Sequence, residues 1–548
     1  MSAPIDVLIC GGGPVGLGLA IELGLAGVRC LLVERRTTTS LQPRAKLANI
    51  RTMELLRRWG VADEVRRRAP LPPGYPSDVV FATRLRGHEL ARFPNALSTA
   101  RQPADPFPEP AQQVPQYVIE DVLRERLAAL PEVELRRGTT LIGMREHDGL
   151  VTCELEDEQG ARSSVAARWV VGADGARSSV RRLAGIEMRQ LGPATPNLGL
   201  VLRAPGLAAS HLLGRAVHYW IINEQAPAIM GPLDGRDVWW LQATALAEGV
   251  DPAAIDVGRL VEQAVGGPVE HELLARDPWA AACRIAERYR AGRVLLAGDA
   301  AHVHPPMGGY GMNMGLGDAV DLGWKLAAQL AGWGTDALVA SYEAERQPIH
   351  RRVIDEAAAN YGVLSNDLVV DGLERDDATG TAARAAVGER IVRDKAREFR
   401  SIGIQLGARL RDSPVVIPDE TPEPADPGDS YEPCLRPGHR APHVWLDDGD
   451  ALYDRLGRGF ALLDTTPGDD RADWSAAAAA RGLPLRVVRV PDAAARERYG
   501  AGLALVRPDR YVAWRGSGDA AGADPGTVLD VVRGAAHSSR RASTEPAR

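Results

Sequence analysis

"IDVLICGGGPVGLGLAIELGLAGVRCLLVERR", residues 5–36, is the stretch on which the fold turns. Its opening, Ile5-Asp6-Val7-Leu8-Ile9, is a short apolar run closing in Cys10, as suits a parallel strand covered on both faces. Gly11, Gly13 and Gly16 then spell G-x-G-x-x-G. In that spacing the first glycine permits a tight turn, the second lets backbone approach a pyrophosphate, and the third lets the next helix pack on the strand. Leu17 to Ala26 reads as that helix, its positive end toward the phosphates. Val28 to Val33 is a second strand and delivers Glu34, about 20 residues after the glycines, where a carboxylate accepts hydrogen bonds from ribose hydroxyls. The same carboxylate would repel a 2′-phosphate, which disfavours NADP at this turn. NAD and FAD both stay open on these residues alone.

A chain of 548 residues has room for two or three domains, and 45% apolar with 25% charged content is ordinary for a globular protein. A net charge of −7 supplies no basic field for nucleic acid. Cys10, Cys30, Cys153, Cys283 and Cys434 are scattered without a C-x-x-C, against a zinc site, a disulfide framework or a dithiol redox pair. The chain enters its first strand at once, which leaves no room for a signal peptide, and no apolar run reaches the ~18 residues of a spanning helix. The expectation is a cytoplasmic protein without membrane partners.

Further along, Ala48 to Trp59 has helical periodicity, with Ile50, Met53, Leu55 and Leu56 mostly on one face. "PLPPGYPSD", residues 70–78, marks a turn, and the proline-rich "RFPNALSTARQPADPFPEPAQQVPQ" reads as a long surface loop before a helix at Tyr117–Leu130. Residues 133–175 alternate apolar and polar side chains with turns at His147-Asp148-Gly149 and Gln159-Gly160, which predicts a three-strand meander leading into a buried strand at Trp169–Val171. Aromatic residues, 5% overall, concentrate in "AVHYWIIN" and "VWWLQAT", strand-like segments that fit one wall of an apolar pocket. A sheet packed on its own helices would explain most of them equally well. The acidic, proline-rich stretch 412–435 reads as a linker, 436–535 as a separate α/β unit, and 536–548 as a disordered tail.

Two more motifs bear on the nucleotide. In "VVGADGARSSVRRLAG" a buried strand delivers Asp174-Gly175 to a turn, and Ser178 to Arg181 begin a helix. After a second buried strand, Arg293 to Ala297, comes Gly298-Asp299, where a carboxylate can accept from a sugar-like hydroxyl chain. Gly308, Gly309 and Gly311 follow before Asn313, so backbone N–H groups and the positive end of the next helix can approach a planar ring. A ring that becomes anionic on reduction, as a flavin does, is stabilised there, whereas a nicotinamide gains no comparable benefit.

With the three motifs in this order and at these separations, residues 4–400 resemble the single-component FAD-dependent aromatic hydroxylases, nearest to phenol-hydroxylase-like members and to hydroxylases of aromatic natural products. The segments "GHRAPHVWL", "LYDRLGRGFALL" and "ALVRPDRYVAWRG" resemble the thioredoxin-like domain that such members carry at the C-terminus, here with Cys434 as its one cysteine and so without dithiol exchange. The resemblance implies an α/β protein. A Rossmann-like, glutathione-reductase-type FAD domain would comprise 1–75, 110–180 and 285–400, with a mixed β-sheet substrate domain inserted at 76–109 and 181–284.

By position, the resemblance puts the FAD pyrophosphate on Gly11, Gly13, Pro14, Val15 and Gly16 and the adenosine ribose beside Glu34 and Arg35. Arg44 and Gln116 would lie along the cofactor, and Asp174-Gly175 would serve both FAD and a transient NADPH or NADH. Asp299 would hold the ribityl chain, while Pro306, Gly308, Gly311, Met312 and Asn313 would border the isoalloxazine. Pocket-wall candidates are His218, Tyr219, Trp220 and Asn223, with His302 and His304 after the Asp299 motif; no metal set and no catalytic base stands out. Arg203 and Arg215 are the arginines weighed for a carboxylated substrate, and an apolar phenol or polycyclic aromatic is favoured over it. The implied chemistry is NAD(P)H-driven hydroxylation by O2 through a flavin C4a-hydroperoxide. Baeyer–Villiger cleavage, epoxidation and a flavoprotein that binds and protects a reactive intermediate are the rivals, and homodimerisation is left open. The W-x-W-x-I-P signature of flavin halogenases is absent.

Overall fold

Cys10 and the apolar residues before it cannot face water on either side, and the fold buries them centrally. In the computed structural model, which describes residues 3–40, 42–101, 106–247, 249–466, 471–490, 497–499, 502–517 and 524–536, strand Ile5–Cys10 lies between two parallel neighbours, Cys30–Glu34 and Arg162–Gly172. Val133–Arg137 extends the sheet beyond Cys30–Glu34, and Val294–Leu296 beyond Arg162–Gly172. The helix after the glycines runs Pro14–Gly24, three residues earlier than its apolar pattern suggests, because Pro14 is pre-set for a first helical turn. The later helix begins at Ile50, with Asn49 accepting from the Thr52 amide at 2.9 Å as its N-cap.

Two expectations need correction. The meander's third strand and the buried strand at Trp169–Val171 are one strand, Arg162–Gly172. Its exposed first half pairs antiparallel with Leu150–Asp157, and its apolar second half enters the parallel sheet beside Ile5–Cys10. At the other end Gly138, with φ +67°, breaks the alternating pattern, so Val133–Arg137 joins the parallel sheet and only Thr139–His147 joins the meander. The proline-rich loop is not a surface loop: Phe107, Ala111 and Val114 are buried, and Gln112–Gln113 pairs with Leu47–Ala48. Residues 102–105 of that loop lie outside the described residues.

A second, seven-stranded sheet runs Glu272–Ala281, Thr195–Arg203, Val238–Ala243, Ala228–Pro232, His218–Ile221, Val79–Ala82, Glu89–Phe93. Only the His218–Ile221/Val79–Ala82 pair is parallel, which is where the chain returns to the sheet after a long excursion. Toward the C-terminus, Phe460–Asp464, helix Ala472–Ala479 and parallel strand Leu485–Arg489 are followed by the hairpin Gly502–Val506/Val512–Ser517 and helix Pro525–Val532. This βαβ unit joined to a ββα unit, with the antiparallel hairpin beside the first strand, is the thioredoxin-like arrangement. The stretch read as a linker carries no helix or strand, yet Val415 and Val416 are buried and the Ile417 amide donates to the Ala513 carbonyl at 2.8 Å. Its apolar V-V-I segment is packed rather than free. Residues 537–548, read as a disordered tail, lie outside the described residues, and among the described ones no helix is long and apolar enough to cross a membrane.

Candidate active site

The carboxyl ends of the parallel strands open into a cavity of about 450 Å3 that continues under the second sheet. Gly11, at φ +109°, could not carry a side chain, since a Cβ would lie 2.3 Å from the Ala173 carbonyl oxygen. Gly13 caps the helix Pro14–Gly24 and has no atom within 4 Å of its Cβ direction, so space for a ligand is open above that helix end. Glu34 accepts from the Gly12 amide at 2.6 Å through Oε2 and from the Arg36 amide at 2.9 Å through Oε1. Each oxygen keeps a second lone pair for a hydroxyl. Gly11, Gly13, Pro14, Val15, Glu34, Arg35, Arg44, Gln116, Asp174 and Gly175 all line the cavity, but Gly16 does not. It packs against the Gly11 carbonyl behind the wall.

Asp174 has most of its acceptors engaged locally. Its Oδ1 accepts from the Ser178 hydroxyl at 2.5 Å and its Oδ2 from the Ser179 and Val180 amides at 2.6 and 3.2 Å, which fixes the turn. Asp299 differs: it is exposed to the cavity and makes no hydrogen bond among the described residues. Gln116 donates from Nε2 to Glu120 at 2.8 Å.

Asp318 is the residue that sequence reasoning missed here. It sits fully buried in helix Gly311–Leu330, where its Oδ2 accepts from the Gly298 amide at 3.0 Å and so holds the turn that presents Asp299. Arg346 donates to its Oδ1 at 2.7 Å, and His302 and His350 approach within 2.9 and 2.8 Å. His302, Asp318 and His350 have the side-chain types and spacing of a metal set, but Arg346 already fills that side of the carboxylate. A buried aspartate needs such donors. An Asp seven residues after Gly311, two helical turns further along the same face, would have been the clue.

Asn313 likewise acts from behind. Its Nδ2 donates to the Leu47 and Gly309 carbonyls at 3.1 and 2.6 Å, and its Oδ1 accepts from the Asn49 amide at 2.9 Å. It therefore ties the glycine turn, with Gly308 at φ +86° and Gly309 at φ +68°, to the segment carrying Arg44. Pro306, Gly308, Gly311 and Met312 line the cavity itself. The far wall is aromatic: Trp220, stacked on Phe81 at 5.2 Å, Trp240, and His218, edge-on to Trp240 at 5.1 Å. Asn223 is not part of it. That side chain donates to the Thr83 carbonyl and accepts from the Gln225 and Ala226 amides, holding a turn at the far end of its strand. Tyr219 points to the other face, donating to the Gly214 carbonyl at 2.6 Å, as strand alternation requires. Arg203 pairs with Glu272, and neither it nor Arg215 lines the cavity.

Burial holds several histidines neutral. His304, whose Nδ1 lies 2.8 Å from the Pro305 carbonyl, is lowered to about 4 and keeps a buried Nε2 without a partner among the described residues. His350 is lowered to about 3, burial outweighing Asp318, and its Nδ1 meets the Tyr289 hydroxyl at 2.8 Å. His443 is also lowered to about 3 by burial and nearby arginines. Because these folded values lie below the ~6.5 of an unfolded histidine, the unfolded chain binds more protons as pH falls from about 6.5 toward 3. Their stability contribution is complete above that window and lost within it. The apoprotein's urea midpoint is expected to fall from about pH 6.5 to 5, each such histidine lowering stability by about 1.4 kcal/mol per pH unit while Asp321, raised to about 7 by burial, offsets one of them. A midpoint constant down to pH 5 would contradict this.

The FAD binding domain family model matches residues 4–357, and the C-terminal aromatic-ring hydroxylase model matches 435–536. Aklavinone 12-hydroxylase RdmE of Streptomyces purpurascens is 37% identical over 96% of this chain and 98% of its own length. The rebeccamycin biosynthetic enzyme RebC, solved with reduced flavin, superposes with a TM-score of 0.89 at 37% identity, covering 98% of this chain and all of that one. An aklavinone-11 hydroxylase solved with FAD and aklavinone superposes with a TM-score of 0.81 at 34% identity over 97% of this chain and 99% of that one.

Proposed function

The chain belongs to the FAD-dependent aromatic-ring hydroxylases, and we propose that it uses NADPH or NADH and O2 to hydroxylate an apolar phenolic or polycyclic aromatic compound. The observation that carries this reading is one continuous cavity, with a glycine-and-helix nucleotide end and a wall of Trp220, Trp240 and His218 at the other. The residues fit FAD: Gly13 leaves a cradle above a helix end, Glu34 has free lone pairs, and Asp299 faces the cavity without a partner among the described residues. FAD bound there and reduced by NAD(P)H supplies activated oxygen for an electron-rich ring carbon.

The chain's own part is placement and exclusion of water. Gly11, Gly13 and the Val15 amide form the pyrophosphate end, Pro14 lining it without an N–H to donate, with Glu34 and Arg35 at the ribose. Asp174 acts through its turn, fixing Gly175 and the cavity-lining Ser179, and Asn313 acts by fixing the Gly308–Gly309 turn. Arg44 and Gln116 flank the cofactor, and Asp299 accepts from ribityl hydroxyls. The aromatic wall holds the substrate ring and keeps the site dry. RdmE, by its name, hydroxylates aklavinone, which supports a fused-ring substrate here.

Asp299→Ala is expected to raise the Kd for FAD by about 10- to 100-fold, the loss of one hydrogen bond of about 1.5–3 kcal/mol. The apoprotein's unfolding midpoint should not move, because the Asp299 side chain bonds nothing among the described residues. Flavin-fluorescence titration checks the Kd and urea denaturation of the apoprotein the midpoint, and full retention of yellow colour after dialysis would contradict the assignment. The reaction itself is tested by NADPH and NADH consumption against a panel of phenols and polycyclic aromatics, with product connectivity by NMR. Oxygen placed on a ring carbon supports hydroxylation, whereas oxygen inserted into a carbon–carbon bond makes the enzyme a Baeyer–Villiger oxygenase. Ligand binding with unchanged NAD(P)H oxidation and no oxygenated product would favour the role of protecting a reactive intermediate.

A further inference from the structure

Lys46 lines the cavity two residues after Arg44, with its Nζ 4.2 Å from the centroid of the Trp240 ring. It has no carboxylate partner among the described residues, unlike Lys325, which pairs with Asp321 and Glu345. Its neighbour His218 packs edge-on against the same indole. The cation is thus held against an aromatic face beside other rings, and among the described residues its compensation is the π-system. A half-buried ammonium that faces the cavity without a carboxylate favours an anion that enters there. We propose that Lys46 is a specificity-determining residue that binds an anionic oxygen, phenolate or carboxylate, carried on the ring system of the aromatic substrate.

This rests on the aromatic-hydroxylase reading above and narrows its substrate class. Burial pulls the Lys46 ammonium down to about 8, which still leaves it mostly charged at neutral pH. Burial and the Lys46 charge hold His218 uncharged, near 3, so the two side chains present one positive charge rather than two. Facing a phenol, the ammonium favours ionisation: the O–H bond breaks, the proton leaves to water, and the oxyanion stays beside Nζ. A phenolate is the more nucleophilic ring, at the carbons ortho and para to that oxygen, so the same contact that recognises the substrate also orients and activates it. A carboxylated ring would use the same contact for recognition alone.

The test uses the FAD-loaded protein and three ligands with one ring system: anthraquinone, anthraquinone-2-carboxylate and alizarin, whose visible band moves to longer wavelength on ionisation. Wild type is compared with Lys46→Met, which keeps the length and loses the charge, and with Lys46→Arg, which keeps the charge. Lys46→Met is expected to bind the carboxylate or alizarin at least 10-fold more weakly while binding neutral anthraquinone within about twofold of wild type, and Lys46→Arg to recover most of the difference. Loss confined to alizarin, together with loss of its long-wavelength band, identifies a phenolate; loss confined to the carboxylate identifies a carboxylate. If Lys46→Met binds all three as wild type does, or loses all three equally while Lys46→Arg does not recover them, Lys46 has no such role and the aromatic pocket still stands. If wild type binds none of the three, the aromatic pocket and the role of Lys46 both fall.

Discussion

Gly16→Ala should leave an apoprotein that hardly binds FAD. A Cβ at residue 16 would lie 1.9 Å from the Gly11 carbonyl oxygen and 3.1 Å from its carbon, with the Ala173 side chain at 3.5 Å. The first two are backbone atoms of the turn, so no side chain can rotate away. The collision is relieved only by moving helix Pro14–Gly24 off strand Ile5–Cys10 by about 1 Å, and an N–H···O bond of 2.9 Å stretched by that much is no longer a hydrogen bond. The helix end supplies the amides for the pyrophosphate, and charge-assisted bonds of this kind contribute about 1.5–3 kcal/mol each. Loss of one or two raises the Kd for FAD by about 10²- to 10³-fold, on top of about 1–3 kcal/mol of lost stability from overpacking. Gly13→Ala is the contrast: nothing lies within 4 Å of its Cβ direction, so the apoprotein should unfold as wild type does while the methyl intrudes only on ligand space. Titrating both apoproteins with FAD and comparing urea midpoints separates the two effects. Gly16→Ala purifying yellow with an unchanged midpoint would mean the helix does not rest on Gly11 as described.

The contrast between these glycines shows what was legible in the sequence. G-x-G-x-x-G between a strand and a helix has one physical solution, so the first βαβ unit, and with it Glu34, follows from local pattern. The place of Asp299 on the cavity wall was legible for the same reason, at the end of a buried strand before a glycine-rich turn. For residues that the fold places off the cavity wall or behind it, position depends on tertiary placement. Asn223 and Tyr219 stand in an aromatic run whose alternation gives two faces, and only the sheet's packing decides which face sees the cavity. Asp318 and Asn313 act through backbone amides and carbonyls far away in sequence, Gly298, Leu47 and Asn49, and no local spacing encodes such a partner. Lys46 was passed over because a lysine next to "PRA" looks solvated until Trp240, nearly 200 residues on, is folded against it. Phe107 and Val415 were lost among prolines, whose abundance signals loops without saying whether the loop is packed.

Arg507→Met is expected to open the C-terminal domain. Arg507 is fully buried between that domain and the core, donating to Glu345 at 2.7 and 2.9 Å, to Asp321 at 3.1 Å and to Asp509 at 2.7 and 3.0 Å. Lys325 reaches Asp321 at 2.9 Å and Glu345 at 2.5 Å, and the guanidinium lies 5.1 Å from the Trp324 ring centroid. Three carboxylates thus share two cations. Burial raises Asp321 to about 7 against the pull of Lys325, while burial of Glu345 is outweighed by Arg507 and Lys325, which hold it at about 2. Methionine fills similar volume and sits well against Trp324, but it leaves Glu345 and Asp509 charged and short of donors. Removing one partner of a buried ion network costs about 3–5 kcal/mol, which converts to about 10²- to 10⁴-fold more frequent opening. The apolar contact of Trp324 with Phe460, 5.8 Å between centroids, remains but does not answer those charges. Limited proteolysis should therefore cut the variant between the core and the C-terminal domain at least 100-fold faster than wild type, with Arg507→Lys in between because one charge survives without the fork. Cleavage within threefold of wild type would show that the apolar seam alone carries the junction and that the charge network contributes little to it.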